Sequence, residues 1–143
     1  MAEYTKLNLV DDVQDLAPSH GLDGIESRFA RQALGLEKSG LSLFRMQPGF
    51  RLPFGHDHSE QEEVYVVVEG SAVMKVGDEE VELATWDALR VPPNTPRGLA
   101  AGPEGGHVLA FGAPNTENKD AEVLPDFWPQ TPPNERGDGT PAG

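Results

Sequence analysis

The chain has 143 residues, with 24 acidic side chains against 11 basic ones and a formal net charge of −13. That length fits one domain of ordinary size, and so acidic a surface repels phosphate backbones, which argues against nucleic acid as a partner. There is no cysteine, which excludes thiolate metal sites, redox dithiols and cysteine nucleophiles, so any metal must be held by His, Asp or Glu.

The chain opens with MAEYTKLNLVDD, which has no apolar stretch of signal-peptide length. The longest uninterrupted apolar run is Val64–Val68, far short of a membrane span. A soluble, cytoplasmic protein with no membrane partner is expected. The 16 glycines and 13 prolines suit many short elements joined by turns. Residues 1–26 are mixed and form an N-terminal segment, with a turn-like stretch at APSHGLDG. SRFARQAL (27–34) allows a short helix or an edge strand, and is read as a strand. EKSG (37–40) is a turn and Leu41–Met46 a strand, broken by PGF (48–50). The run Val64–Val68, apolar on both faces, reads as a strand buried on both. Ser71–Val76 alternates as a strand, GDEE (77–80) is a hairpin turn, and Val81–Ala84 returns. Ala88–Val91 is a short strand stopped by Pro92-Pro93, and Pro96–Ala101 is extended. AGPEGG (101–106) is a turn and His107–Phe111 the last clear strand. About seven or eight short strands with turn signals between them indicate an all-β sandwich or barrel over 27–113. From Pro114 the composition turns polar. The exception is EVLPDFWPQ (122–130), whose Phe127 and Trp128 read as an aromatic anchor that ends the domain. TPPNERGDGTPAG (131–143) has the composition of a disordered tail, so 114–143 is expected to be a partly disordered extension.

The chemistry concentrates in HDHSEQEEVYVVVEG (56–70). Strand alternation puts His56 and His58 on one face, ~7 Å apart along the chain, with Asp57 turned to solvent. Glu63 follows after a gap long enough for a tight turn, and Tyr65 shares its face. Two imidazoles and a carboxylate form a facial set that leaves coordination positions open, as in non-haem iron(II) oxygenases. The same spacing also occurs on exposed strands that bind nothing. Glu62 is the competing carboxylate, and Glu60 reads as a turn charge. His107, at a strand start, is a further candidate ligand. His20 is not one. Arg45, Arg51, Met74 and Trp86 could line a cavity, each with a plain surface or core role as its alternative.

These residues resemble a known family. PGFRLPFGHDHSEQEEVYVVVEG is similar to the first motif of the cupin superfamily, in which a glycine precedes His-x-His, a glutamate follows three or four residues later, and a glycine follows six residues after that. Glu63 to Gly70 has the six-residue gap, which favours Glu63 over Glu62. Gly49 lies one residue farther from His56 than the pattern asks. WDALRVPPNTPR (86–97) is similar to the second motif, Gly-Asp, a short strand, Pro-Pro-Gly, two residues and His. The resemblance spans about Leu41 to Ala113. It implies a single-domain, cupin-like β-barrel (a double-stranded β-helix or jelly roll) with short irregular terminal segments. It also implies a divalent metal ion (Fe, Mn, Ni or Zn) in most enzyme members, and a homodimer paired through edge strands.

Two departures matter. Trp86 stands at the motif's glycine, and Arg97 stands where the family has a fourth ligand, a histidine. A guanidinium stays protonated and cannot ligate. Placed ~5 Å from a divalent ion it would repel it by roughly 7 kcal/mol at an effective dielectric near 20. Two readings therefore stand. In one, His56, His58 and Glu63 hold the metal while Arg97, with Tyr65 beside it, receives the anionic group of a small-molecule substrate. The reaction is then an oxygenation, isomerisation or decarboxylation. In the other, no metal binds, Arg97 pairs with Glu63, and the protein is a ligand-binding or structural cupin.

Overall fold

The computed structural model describes residues 2–129. The tail expected over 131–143 lies outside them. Eight strands form one curled sheet: β1 (Ile25–Phe29), β2 (Gly40–Met46), β3 (Gly55–His58), β4 (Glu62–Val76), β5 (Glu79–Leu83), β6 (Ala88–Val91), β7 (Arg97–Ala113) and β8 (Ala121–Leu124). Helix among the described residues is confined to a 3-10 turn at Pro18–His20 and one turn of α-helix, α1, at Arg31–Leu34. This is the all-β barrel expected, and no helix in it is long and apolar enough to cross a membrane.

Two long strands make the frame. β4 and β7 run antiparallel from Glu62↔Ala113 to Val76↔Arg97. At one end β4 also pairs with β6, and β7 with β2, which carries β1. At the other end β4 pairs with β5, and β7 meets β3, which carries β8. The two long strands thus pass from one half of the barrel to the other. They bend where the register slips, between Val67 and Glu69 and between Gly70 and Ala72. The crossing needs glycine, because a Cβ on Gly70 would lie 2.2 Å from the carbonyl oxygen of Gly105, and one on Gly106 would lie 2.1 Å from that of Ser71. The backbone of Gly70 is left-handed as well, at φ +69°.

Alternation sets the core. Tyr65, Val67, Met74, Val91 and Val108 point inward and are at most 3% exposed. The opposite face of β4 is only half-buried at Val64, Val66 and Val68, so the run is not buried on both faces as its composition suggested. The N-terminal segment is tied to β1. Asp15 Oδ1 accepts the N–H groups of Ala17 and Ser27 at 2.9 and 2.8 Å, and Arg28 donates to the carbonyl of Val13.

Two local expectations are corrected. SRFARQAL is not one strand: β1 ends at Phe29, and Arg31–Leu34 close a helical turn capped by Gly35 in the left-handed region. Arg, Gln, Ala and Leu are good helix formers and a following glycine is a common helix stop, so local propensity wins once edge pairing ends. AGPEGG is not a turn but the bend inside continuous β7.

Candidate metal centre

β3 and β4 bring the sequence-predicted residues together. The short loop 59–61 separates His58 from β4, so the chain turns back and sets Glu63 against the two rings. His56 Nε2 lies 3.3 Å from Glu63 Oε1, and His58 Nε2 lies 3.6 Å from the same oxygen. One ligand atom from each of the three residues falls within 4.8 Å of the others. Neighbouring donors around an ion with bonds of ~2.1 Å sit roughly 3.0–3.4 Å apart, so the two His–Glu spacings suit a divalent ion of the kind that takes nitrogen and oxygen ligands, and the set as a whole, within 4.8 Å, would draw in slightly around one.

Each member is fixed by neighbours. Glu63 is opposite Gly112 of β7 and Val91 of β6, on the inner face. The Tyr65 hydroxyl donates to its Oε1 at 2.6 Å. Burial raises the Glu63 pKa. The hydrogen bonds from His56 and Tyr65 and the charges of the two imidazoles outweigh that, so the net shift is downward and the group is a carboxylate. Burial pushes the Tyr65 phenol well above its ordinary value, with the Glu63 charge acting in the same direction, so it remains a donor.

Arg97 begins β7 directly opposite His56. Its side chain is fully buried, and its Nε stands 3.8 Å from Glu63 Oε1, an ion pair too long for a hydrogen bond. Nη2 donates to the carbonyl of Pro92 at 3.3 Å. Nε and Nη1 are shielded from solvent and have no hydrogen-bond partner among the described residues. Buried polar atoms are rarely left so, and two unused donors on a buried cation beside a carboxylate–imidazole group suit an anionic ligand.

The other candidates do not join the group. Glu62 is exposed and accepts from Arg90 Nε at 2.6 Å on the outer face. His107 pairs with Glu69 at 2.8 Å. Arg45 faces Glu26 at 3.5 Å. Arg51 stacks on Trp128 and donates to the carbonyl of Pro129. Met74 is plain core, whereas Trp86 is 73% exposed and lines nothing inside. Asp57, expected in solvent, is half-buried with its Oδ1 shielded and unpaired.

One residue of the site carried no sequence signal. Asp120, from the polar stretch after Ala113, reaches His58 Nδ1 at 3.0 Å across a separation of 62 residues. Burial raises its pKa. Hydrogen bonds from Thr116, His58 and the Gln61 and Glu60 backbones outweigh that and hold it well below the usual carboxylate range. The segment that carries Asp120 continues as β8 along β3 and ends in the aromatic anchor. Phe127 and Trp128 press on Gly55 and Gly98, where an added Cβ would lie 2.5 Å from Phe127 and 2.8 Å from Trp128. Lys75 Nζ sits 3.7 Å above the Phe127 ring.

Comparison with known proteins agrees with this architecture. The family model described as "Cupin domain" matches residues 42–111. The chain carries a cupin domain over these residues. An uncharacterised protein, MJ1618 of Methanocaldococcus jannaschii, is 30% identical over 70 residues, covering 48% of this chain and 56% of that one. The chain thus spans about half the length of this curated relative. Among solved structures, the cupin BF4112 from Bacteroides fragilis superposes with a TM-score of 0.65 at 22% identity, over 81% of this chain and 88% of its own. A protein described as a sugar phosphate isomerase, SPO2919 from Silicibacter pomeroyi, gives 0.64 at 24% over 76% and 75%. Streptomyces Pac13, described as a nucleoside dehydratase, gives 0.63 at 18% over 87% and 91%. At these identities the likeness is one of fold.

Proposed function

We propose that this cupin binds a divalent ion (Fe, Mn, Ni or Zn) through His56, His58 and Glu63, and acts on a small anionic metabolite whose charged group is received by Arg97. The observation that carries the reading is the pair of unpartnered donors, Nε and Nη1, on a fully buried guanidinium beside the histidine–glutamate group. A bound ion would supply Lewis acidity and open coordination positions. The chain's residues do the rest. Arg97 orients the anion, and Tyr65 holds Glu63 in place as a carboxylate. Oxygenation, isomerisation and decarboxylation all fall within this chemistry. An isomerase reading gains some support from the fold shared with a protein described as a sugar phosphate isomerase. A homodimer is part of the same proposal, supported by the half-buried outer face of Val64, Val66 and Leu109 beside exposed Phe111. So is a cytoplasmic address, without nucleic-acid or membrane partners.

The 3.8 Å approach of Arg97 to Glu63 favours a second reading, a metal-free ligand-binding barrel in which that pair replaces the ion. Metal analysis of purified protein beside His56→Ala separates the two. Stoichiometric Fe, Mn, Ni or Zn that disappears in the variant supports the first. Absence that persists after reconstitution with each of these ions removes it.

A further inference from the structure

We propose that Asp120 is the positioning residue of this centre: it holds His58 in the tautomer that turns the Nε2 lone pair toward Glu63, and it locks the loop joining the two ligand-bearing strands. The inference rests on the reading of His58 as a ligand.

The carboxylate is fully used, and each oxygen has a distinct task. Oδ1 takes His58 Nδ1 at 3.0 Å and the Thr116 hydroxyl. Oδ2 takes the backbone N–H groups of Glu60 and Gln61 at 3.0 and 2.9 Å. A carboxylate offers only acceptors, so His58 must donate from Nδ1, and a neutral ring then leaves Nε2 without its proton. That atom is the one facing Glu63. Imidazole ligands are commonly oriented in this way by a carboxylate on the far nitrogen. Glu60 and Gln61 are the links between His58 on β3 and Glu63 on β4, so one buried side chain fixes both the ring and the path of the chain to the third ligand. The strand it steadies needs this support. β3 meets β7 at a single residue pair, His56↔Arg97, whereas all of Gly55–His58 pairs with β8, the strand that Asp120 leads into. The Ser59 N–H also donates to the Asp120 carbonyl, at 3.2 Å.

The geometry makes Asp120→Asn the informative change. Two backbone N–H groups require an acceptor at the Oδ2 position, so the Asn carbonyl takes that place and its NH2 group faces His58. That group donates to Nδ1 and forces the proton onto Nε2. The turn is kept and the tautomer is inverted. The experiment uses the full chain, labelled with 15N and freed of metal. Long-range 1H–15N correlation spectra report the His58 tautomer, and zinc titration by calorimetry reports affinity. At a pH where the ring is neutral, wild type is expected to show protonated Nδ1 and bare Nε2. D120N is expected to show the reverse, with zinc binding weakened about 10- to 100-fold and a cooperative melt retained. Thr116→Val, which removes the other donor to Asp120 Oδ1 without touching the ring, is expected to leave the tautomer unchanged. If D120N does not fold, Asp120→Ala is read in the same way, with loss of the Nδ1–H preference expected. An unchanged His58 tautomer, or zinc affinity within twofold of a zinc-binding wild type, overturns the proposal. Wild type that binds no zinc while D120N still inverts the tautomer overturns the metal reading and leaves Asp120 as the residue that sets the ring.

Discussion

Replacing Arg97 by methionine tests what its guanidinium is for. The side chain is fully buried. Its one countercharge among the described residues lies 3.8 Å away, a gross attraction of about 4 kcal/mol at an effective dielectric near 20. Against this stands a desolvation penalty of several kcal/mol for the cation. Nε and Nη1 add to that penalty, since each is buried without a partner and an unmade hydrogen bond costs ~1–3 kcal/mol. In the unliganded, metal-free protein the two sides roughly cancel or favour removal. Glu63 is not orphaned by the change, because Tyr65 and His56 still contact it at 2.6 and 3.3 Å. Methionine fills a similar slot without a charge. Arg97→Met is therefore expected to leave stability unchanged or raise it by ~1–2 kcal/mol, an upward shift of roughly 3–8 °C in Tm. The assay is thermal unfolding by circular dichroism in chelator-treated buffer, repeated with millimolar acetate. Acetate is expected to raise the wild-type Tm and not that of the variant. A loss of more than ~3 kcal/mol in Arg97→Met, the size expected for breaking a needed buried pair, would refute the reasoning. It would establish the guanidinium as the structural counterion of Glu63.

Three further outcomes follow from local geometry. Trp86 is 73% exposed with φ +73°; left-handed backbone costs a bulky residue ~1–2 kcal/mol, so Trp86→Gly is expected to gain about 0.5–1 kcal/mol after glycine's entropic cost, and a lowered denaturant midpoint would show instead that the ring packs on something. Gly55→Ala places a Cβ 2.5 Å from Phe127 and 2.7 Å from the Arg97 carbonyl; it is expected to lose ~1–3 kcal/mol by overpacking, and a loss that Phe127→Ala does not relieve in the double variant would place the strain elsewhere. The folded-state pKa of Asp120 lies below its ordinary value of 3.8, so the unfolded chain binds the extra proton. The stabilisation is present above that value and is lost as pH falls through the folded value. The stability gap between wild type and Asp120→Asn should therefore shrink below about pH 4, and a gap constant from pH 7 to pH 2 in urea melts would contradict it.

Much of the barrel was legible because alternation leaves a trace in residue order. Tyr65 and Val67 share a face with Glu63, and the structure points all three inward. The resemblance over Leu41–Ala113 nearly coincides with the matched cupin domain at 42–111. The six-residue gap to Gly70 selected Glu63, and Glu62 does lie outside, paired with Arg90. What stayed hidden depends on long-range placement. Asp120 is an acid in a polar stretch, and nothing nearby in sequence marks it. Its meaning comes from β8 adding to β3, a pairing between segments more than 60 residues apart. The bend at 101–106 looked like a turn because glycine and proline signal both turns and sharply bent strands. Trp86 looked like a pocket residue only by its place in the motif. A left-handed turn there carries its ring outward.

The exchange of a histidine for Arg97 alters the charge balance of the centre. With neutral imidazoles, Glu63 and Asp120 outnumber Arg97 by one negative charge, so a divalent ion would leave the buried group one charge positive. Burying unbalanced charge is costly, and the repulsion between ion and guanidinium, several kcal/mol at an effective dielectric near 20, falls on an ion that binds alone. An anion placed between them removes both penalties. Metal and anion are then linked ligands, each raising the affinity for the other by the same factor. A cupin with a fourth histidine has no such requirement, because its ion already meets a neutral donor at that position. On the proposed reading, Arg97 would make metal loading conditional on the ligand. Zinc affinity that is indifferent to acetate in the wild-type protein would mean that the guanidinium and the ion do not share a space.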